Sequence, residues 1–129
     1  MVEQFIPRSP LVAHLGLRLD SIGTDEATLV LPFRPELATM GDVVHGGAIA
    51  SLLDTASMAA AWSDDTVPEA TAGGTVSMNV DYVSAARGVD LVATAVAVRR
   101  GRSLCFCEVT VADPDGAVIA KGLAVHRFG

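Results

Sequence analysis

Two rhythms of hydrophobic and polar positions divide this chain. In the first, Leu17, Leu19 and Ile22, then Ala27, Leu29 and Leu31, stand among polar residues on either side of Gly23-Thr24-Asp25. Period two is the spacing of side chains on one face of a strand, so it predicts two short strands, residues 17–24 and 26–33, paired as a hairpin with one buried face. The same rhythm, rich in β-branched residues, returns in four longer runs: 75–83, 90–100, 103–113 and, after the turn Pro114-Asp115-Gly116, 117–128. The second rhythm belongs to residues 46–62, GGAIASLLDTASMAAAW, which favour a helix in Ala, Leu and Met and carry no Gly or Pro past the first turn. That helix is apolar almost all round, as a helix enclosed by other structure must be. Ser9-Pro10 ahead of Leu11, Val12 and Leu15 predicts a short capped helix ending near Gly16, a lead-in or lid rather than a core element. Residues 34–44 and 63–74 read as irregular loops.

Strand after strand joined by short turns predicts an antiparallel meander for the last four. Two strands, one apolar helix and four more strands make an α+β chain whose compact solution is a curved antiparallel sheet wrapped around one long central helix. At 129 residues the chain has the size of a single domain over 1–129. Strands of this length leave open edges, which a second copy of the same sheet would cover, so at least a dimer is expected.

The net charge of −6 excludes the basic footprint that nucleic acid or an anionic membrane surface would need, which leaves a small molecule or another protein as partner. A membrane span is the competing reading of residues 46–62, and Asp54 at its centre opposes it. The first ten residues, MVEQFIPRSP, have no apolar signal core, and a cytoplasmic location is expected. Cys105 and Cys107, two apart on one strand face, read as reduced packing residues. His14 and His126 stand apart from other ligands, so no metal site is predicted, and Gly41, Gly46 and Gly47 lack the Lys-Ser/Thr ending of a phosphate loop.

The chemistry concentrates in HGGAIASLLD, residues 45–54. Two glycines open the helix, where the first N–H groups have no helical partner and lie at the positive end of the dipole. The Gly46 N–H is therefore placed to hold an oxygen that is becoming negative. Asp54 is the single charged residue of the helix. Two readings are open for it: a carboxylate capping a loop or lying on a wet subunit interface, or one that attacks a carbonyl or draws a proton from water. Eight residues of helix separate Gly46 from Asp54, about 12 Å of rise, so one chain cannot bring both to one carbonyl. Two antiparallel helices from two subunits can, giving a shared site. Arg99, Arg100 and Arg102 crowd one turn, either as a solvated hairpin end or as a place to pair phosphate oxygens.

HGG with an acid seven residues beyond it, the later run TVSMNVDYVSAA and the Gly101-Arg102 pair resemble the PaaI-type acyl-CoA thioesterases of the hotdog superfamily, from about Leu15 to Val125. The resemblance implies the hotdog fold and hydrolysis of an acyl-CoA or aryl-CoA thioester without a cofactor. It makes Gly46 the oxyanion donor, Asp54 the nucleophile or general base, and Thr75 a hydroxyl that helps hold water. Family members commonly carry an Asn before the HGG that grips the thioester carbonyl; Thr39 stands at that distance here. His45 and Gly47 flank the oxyanion position on the substrate side, with His45 also read as a residue that fixes the loop through backbone hydrogen bonds. The arginine turn lies where the CoA nucleotide binds in the family. Met58, with Trp62, Met78 and Tyr82, would line the acyl pocket or serve as ordinary core. Homotetramers built as dimers of dimers are common among such proteins. Two other classes stay open: a non-catalytic acyl-CoA binding module, and a hydratase, for which the helix-length separation of His45 from Asp54 is less suited.

Overall fold

The computed structural model describes residues 2–64, 67 and 73–129. Six strands form one antiparallel sheet: β1 (Arg18–Gly23), β2 (Glu26–Leu31), β5 (Gly74–Tyr82), β6 (Leu91–Arg100), β7 (Leu104–Ala112) and β8 (Val118–Arg127). One long helix, α3 (Gly46–Ala61), packs across it, with β6, β2 and β7 as its main supports. This is the expected hotdog arrangement, a curved sheet around a central helix. Each strand lies within two residues of its predicted run. Part of the predicted loop 63–74 lies outside the described residues.

The connection differs from a meander at one point. The sheet order is β1-β2-β6-β7-β8-β5, so β5 does not lie beside β6 but crosses to the far edge and pairs with β8, Met78 opposite Ala124 and Tyr82 opposite Ala120. Its place beside β6 is taken by β2, with Leu29 opposite Ala93 and Leu31 opposite Leu91. The link over residues 83–90 is too long for a tight hairpin, and it lets the chain cross from one edge of the sheet to β6 instead.

Small residues decide how closely the helix nests. Ala56, Ala59 and Ala60 of α3 are fully buried, as are Ala93 and Ala95 of β6 and Ala124 of β8. At Gly122 on β8 a Cβ would stand 2.5 Å from the Asn79 carbonyl oxygen of β5 and 2.8 Å from Leu53 Cδ1, closer than real Cβ atoms approach, so only glycine fits between strand and helix there. Large side chains fill the remaining space: Leu29, Leu52, Leu53, Leu91, Val109 and Val111 are at most 1% exposed. Each buried Leu of this kind is worth about 2–5 kcal/mol against truncation to Ala.

Two segments read as peripheral have structural roles. Residues 2–16 form α1 (Val2–Phe5), a 3-10 turn (Ile6–Arg8) and α2 (Pro10–Leu15), closed by Gly16 in the left-handed conformation at φ 76°. The lead-in is also part of the core, because Val2, Ile6 and Val12 are buried in it. Its N-cap differs from expectation: the Ser9 side chain makes no capping bond, and the Ser9 carbonyl accepts from the Ala13 N–H at 2.9 Å. The predicted loop 34–44 contains a 3-10 turn (Pro35–Leu37) and a ribbon of β3 (Ala38–Met40) with β4 (Val43–Val44). The Val44 N–H donates to Ala86 O at 2.9 Å and the His45 N–H to Leu37 O at 2.8 Å, which pins the start of α3 to the rest of the fold.

Candidate active site

His45 is the N-cap of α3: its Nδ1 accepts from the Gly47 N–H at 2.7 Å. The imidazole thus does the work usually given to Ser or Asp at this position, satisfying one of the orphan donors of the first turn. Gly47, expected on the substrate side, has its N–H taken up by this bond. The Gly46 N–H has no hydrogen-bond partner among the described residues. The Gly46 carbonyl accepts from Tyr82 Oη at 2.9 Å, and a Cβ at Gly46 would meet the Tyr82 ring at 3.3 Å. Tyr82, read from the sequence as acyl-pocket or core, braces the helix start, and its ring makes a tight fit for any side chain at 46. Thr39 sits exposed on β3, next to Ala38, which pairs with Val44 in the ribbon that leads into the helix.

Asp54 lies two turns further along, on the partly covered stripe Ser51, Asp54, Thr55 and Met58. Its Oδ1 accepts from Thr75 Oγ1 at 2.7 Å, a short bond to an ionised acceptor. Thr75 is the second residue of β5 and is brought there by pairing with His126 across to β8. A cavity of about 360 Å³ opens at this point, lined by Asp54, Thr75, Met58 and Trp62 with Phe5 and Leu11 of the N-terminal helices. Apart from the Asp54, Thr75 and His126 end its walls are mostly apolar, as an acyl or aryl chain requires. Met78 is not among the lining residues; it lies on β5 and is 39% exposed.

Behind the carboxylate is a polar chain that the sequence reading missed. His126 is fully buried on β8, its Nδ1 3.4 Å from Thr75 Oγ1 and its Nε2 2.7 Å from Ser57 Oγ. Ser57 in turn donates to the Asp54 carbonyl at 2.8 Å. The Trp62 ring meets the imidazole edge to face, with centroids 5.7 Å apart. Burial pushes the His126 pKa below its ordinary 6.5, with the Asp54 charge opposing, so the ring is neutral. The signal was present in the alternation of the last strand: Ala120, Gly122, Ala124, His126 and Phe128 share one inward phase.

The arginine turn divides. Arg100 folds back under the end of α3, where its guanidinium donates to Ala61 O at 2.7 Å and Ala60 O at 3.2 Å and pairs with Asp25 at 2.8 Å. It is a cation satisfying the last carbonyls of a helix, with its fork turned inward and occupied. Arg99 and Arg102 are exposed. Cys105 and Cys107 are free and buried, sulfurs 3.9 Å apart. The hydrogen bond with Cys105 and then burial push the Cys107 thiol up.

Within one chain the expected site residues therefore form two clusters. His45, Gly46, Tyr82 and the ribbon bearing Thr39 lie at the start of α3; Asp54, Thr75, Met58 and the cavity lie about 12 Å further along it. No group of His, Cys, Asp and Glu able to hold a metal occurs among the described residues, and no described helix is long and apolar enough to cross a membrane.

Comparison with known proteins bears on this arrangement. A family model for the thioesterase superfamily matches residues 41–120, which include the whole of α3 and Thr75. A medium/long-chain acyl-CoA thioesterase of Salmonella typhimurium is 27% identical over 142 residues, covering 98% of this chain and 90% of that one. The crystal structure of a thioesterase family protein from Silicibacter pomeroyi superposes with a TM-score of 0.90 at 29% identity, over 98% of this chain and 93% of that one. The PaaI protein of E. coli, at 18% identity, shares the fold with a TM-score of 0.87, over 98% of this chain and 88% of that one.

Proposed function

The chain belongs to the thioesterase superfamily, and from that premise we propose that it hydrolyses an acyl-CoA or aryl-CoA thioester to the free acid and CoA. The observation that carries this reading is Asp54: a half-buried carboxylate, held by Thr75, at the mouth of an apolar cavity. The thioester carbonyl binds at the Gly46 N–H of one subunit, and Asp54 of the partner subunit stands beside it. Asp54 draws a proton from a water held with Thr75, and the hydroxide adds to the carbonyl carbon. The negative oxygen that forms is stabilised by the Gly46 N–H, worth about 3–4 kcal/mol for one such donor. The C–S bond then breaks and the departing thiolate takes the proton from Asp54, so water supplies all the atoms added to the products.

A second copy completes the site. β5 is an edge strand with Val76 52% and Tyr82 54% exposed, and continuing the sheet across that edge into a second copy covers these side chains while bringing two α3 helices together. Arg99 and Arg102, the exposed members of the turn, are the residues offered to the CoA phosphates.

The test is thiol release from a panel of acyl-CoA and aryl-CoA thioesters, parent and Asp54→Asn side by side. Turnover by the parent that the variant loses supports the reading, and the best substrate names the acyl class. Binding of CoA esters with no release from any of them would make the protein an acyl-CoA binding module instead.

A further inference from the structure

The hydrogen bonds behind Asp54 are all satisfied together by one order of hydrogens. Ser57 has one hydroxyl proton, and it goes to the Asp54 carbonyl at 2.8 Å. The Ser57 oxygen, 2.7 Å from His126 Nε2, is then left as an acceptor, so Nε2 must carry the proton and donate it. A neutral imidazole has one N–H, which leaves Nδ1 as a bare lone pair facing Thr75 Oγ1 at 3.4 Å. Thr75 also has one proton, and it has two acceptors to choose between: Asp54 Oδ1 at 2.7 Å and His126 Nδ1.

We propose that His126 is a positioning residue for Asp54, held by Ser57 in the Nε2–H tautomer so that its bare Nδ1 gives the Thr75 hydroxyl a second acceptor. The inference rests on the thioesterase reading of Asp54. While the carboxylate is ionised, Thr75 donates to it and fixes its orientation. When the proton taken from water rests on Oδ1, that oxygen becomes a donor, and Thr75 accepts its bond only by turning its own proton elsewhere. Nδ1, on the fully buried imidazole, is where it turns, so both states of the half-buried base stay hydrogen-bonded to the protein. The opposite tautomer would aim an N–H at Thr75, lock its proton on Asp54 and oppose the change. Proton transfer to the imidazole is not required. Ser57 and His126 are fully buried, and the imidazole acts through Thr75, so the effect falls on turnover rather than on binding.

The experiment separates the two ring nitrogens. An Asn amide stands where Nδ1 stands, and a Gln amide where Nε2 stands. His126→Asn keeps an acceptor toward Thr75, whereas His126→Gln keeps the donor to Ser57 and loses that acceptor. Both are assayed below their melting temperatures against the best thioester. The expected result is kcat near the parent for Asn and about tenfold lower for Gln, the worth of one hydrogen bond to the base, with KM changed in neither. Equal losses, or a Gln variant as fast as Asn, would overturn the proposal, since filling space and pairing Ser57 favour Gln. Ser57→Ala, a near-isosteric change, frees the tautomer and is expected to lower kcat with KM unchanged; parent-like kcat overturns the proposal. Nitrogen-15 NMR of the parent needs neither activity nor a variant. An unprotonated Nδ1 and a protonated Nε2 at neutral pH are expected, and the reverse pattern sinks the inference whatever the outcome of the thioesterase assay.

Discussion

Asp54 and Thr75 are 21 positions apart in sequence and 2.7 Å apart in space, and that single bond carries most of the site's chemical meaning. Replacing Asp54 by Asn keeps the shape and removes the charge, so the fold should survive while turnover falls at least about a hundredfold, as for other catalytic acid–base groups. Thiol release and a melting curve on the same sample check both halves of that statement. His126 has a consequence for stability. Its folded pKa lies below 6.5 because burial disfavours the charged ring, so the unfolded chain binds more protons at acidic pH. The stability it allows is complete above the unfolded value near 6.5 and is lost as pH falls through that value toward the folded one. Thermal melts between pH 7 and pH 5 should show a falling midpoint for the parent and a flatter profile for His126→Asn. A parent midpoint that holds level across that window would mean the ring charges in the folded state at no cost.

At the scale of the element, α3 is the part on which everything else is hung. Its start is held by the His45 cap and by Tyr82, its middle by the close approach of Gly122, and its end by Arg100. Gly122→Ala forces a carbon against the Asn79 carbonyl and Leu53 and should cost about 3 kcal/mol, the upper part of the range for overpacking, measured by denaturant unfolding. An unchanged midpoint would mean that helix and sheet can part at no cost. The helix and its boundaries were legible because a run rich in Ala, Leu and Met follows two glycines with no further Gly or Pro. The Arg100 cap was not, since it joins residues 39 and 40 positions apart, and nothing local distinguishes an arginine bound for a helix end from one bound for solvent. The ribbon of β3 and β4 was missed for a related reason: strands of three and two residues are too short to establish a period.

At the scale of the molecule, the proposed use of two clusters on one helix at a single carbonyl calls for a second copy. Mixed dimers of Gly46→Val and Asp54→Asn chains contain one site with both defects and one with neither. Co-refolding two inactive variants should therefore restore up to about half the activity per mixed dimer, the share that two-fold symmetry dictates. Subunit exchange demonstrated without any recovery would place both groups of a working site in one chain. The edge strand β5 makes a companion prediction: Val76→Lys should shift the protein toward monomer in analytical ultracentrifugation and lose activity with it, since an exposed edge charge opposes strand pairing.

The order of hydrophobic and polar residues determined by itself the helix, the long strands and the curved sheet that encloses the helix, because periodicity and turn residues act between near neighbours. It also determined the pairing of an open helix start with a lone acid, because both lie in one short stretch of chain. What only the tertiary structure decided was which strands adjoin and which distant groups meet. β5 crosses to β8 rather than staying beside β6, and that crossing is what brings Thr75 opposite His126 and both of them to Asp54. A histidine that looked solitary along the chain thus became the back of the site, because hydrogen bonds act over a few ångströms of space whatever the distance in sequence.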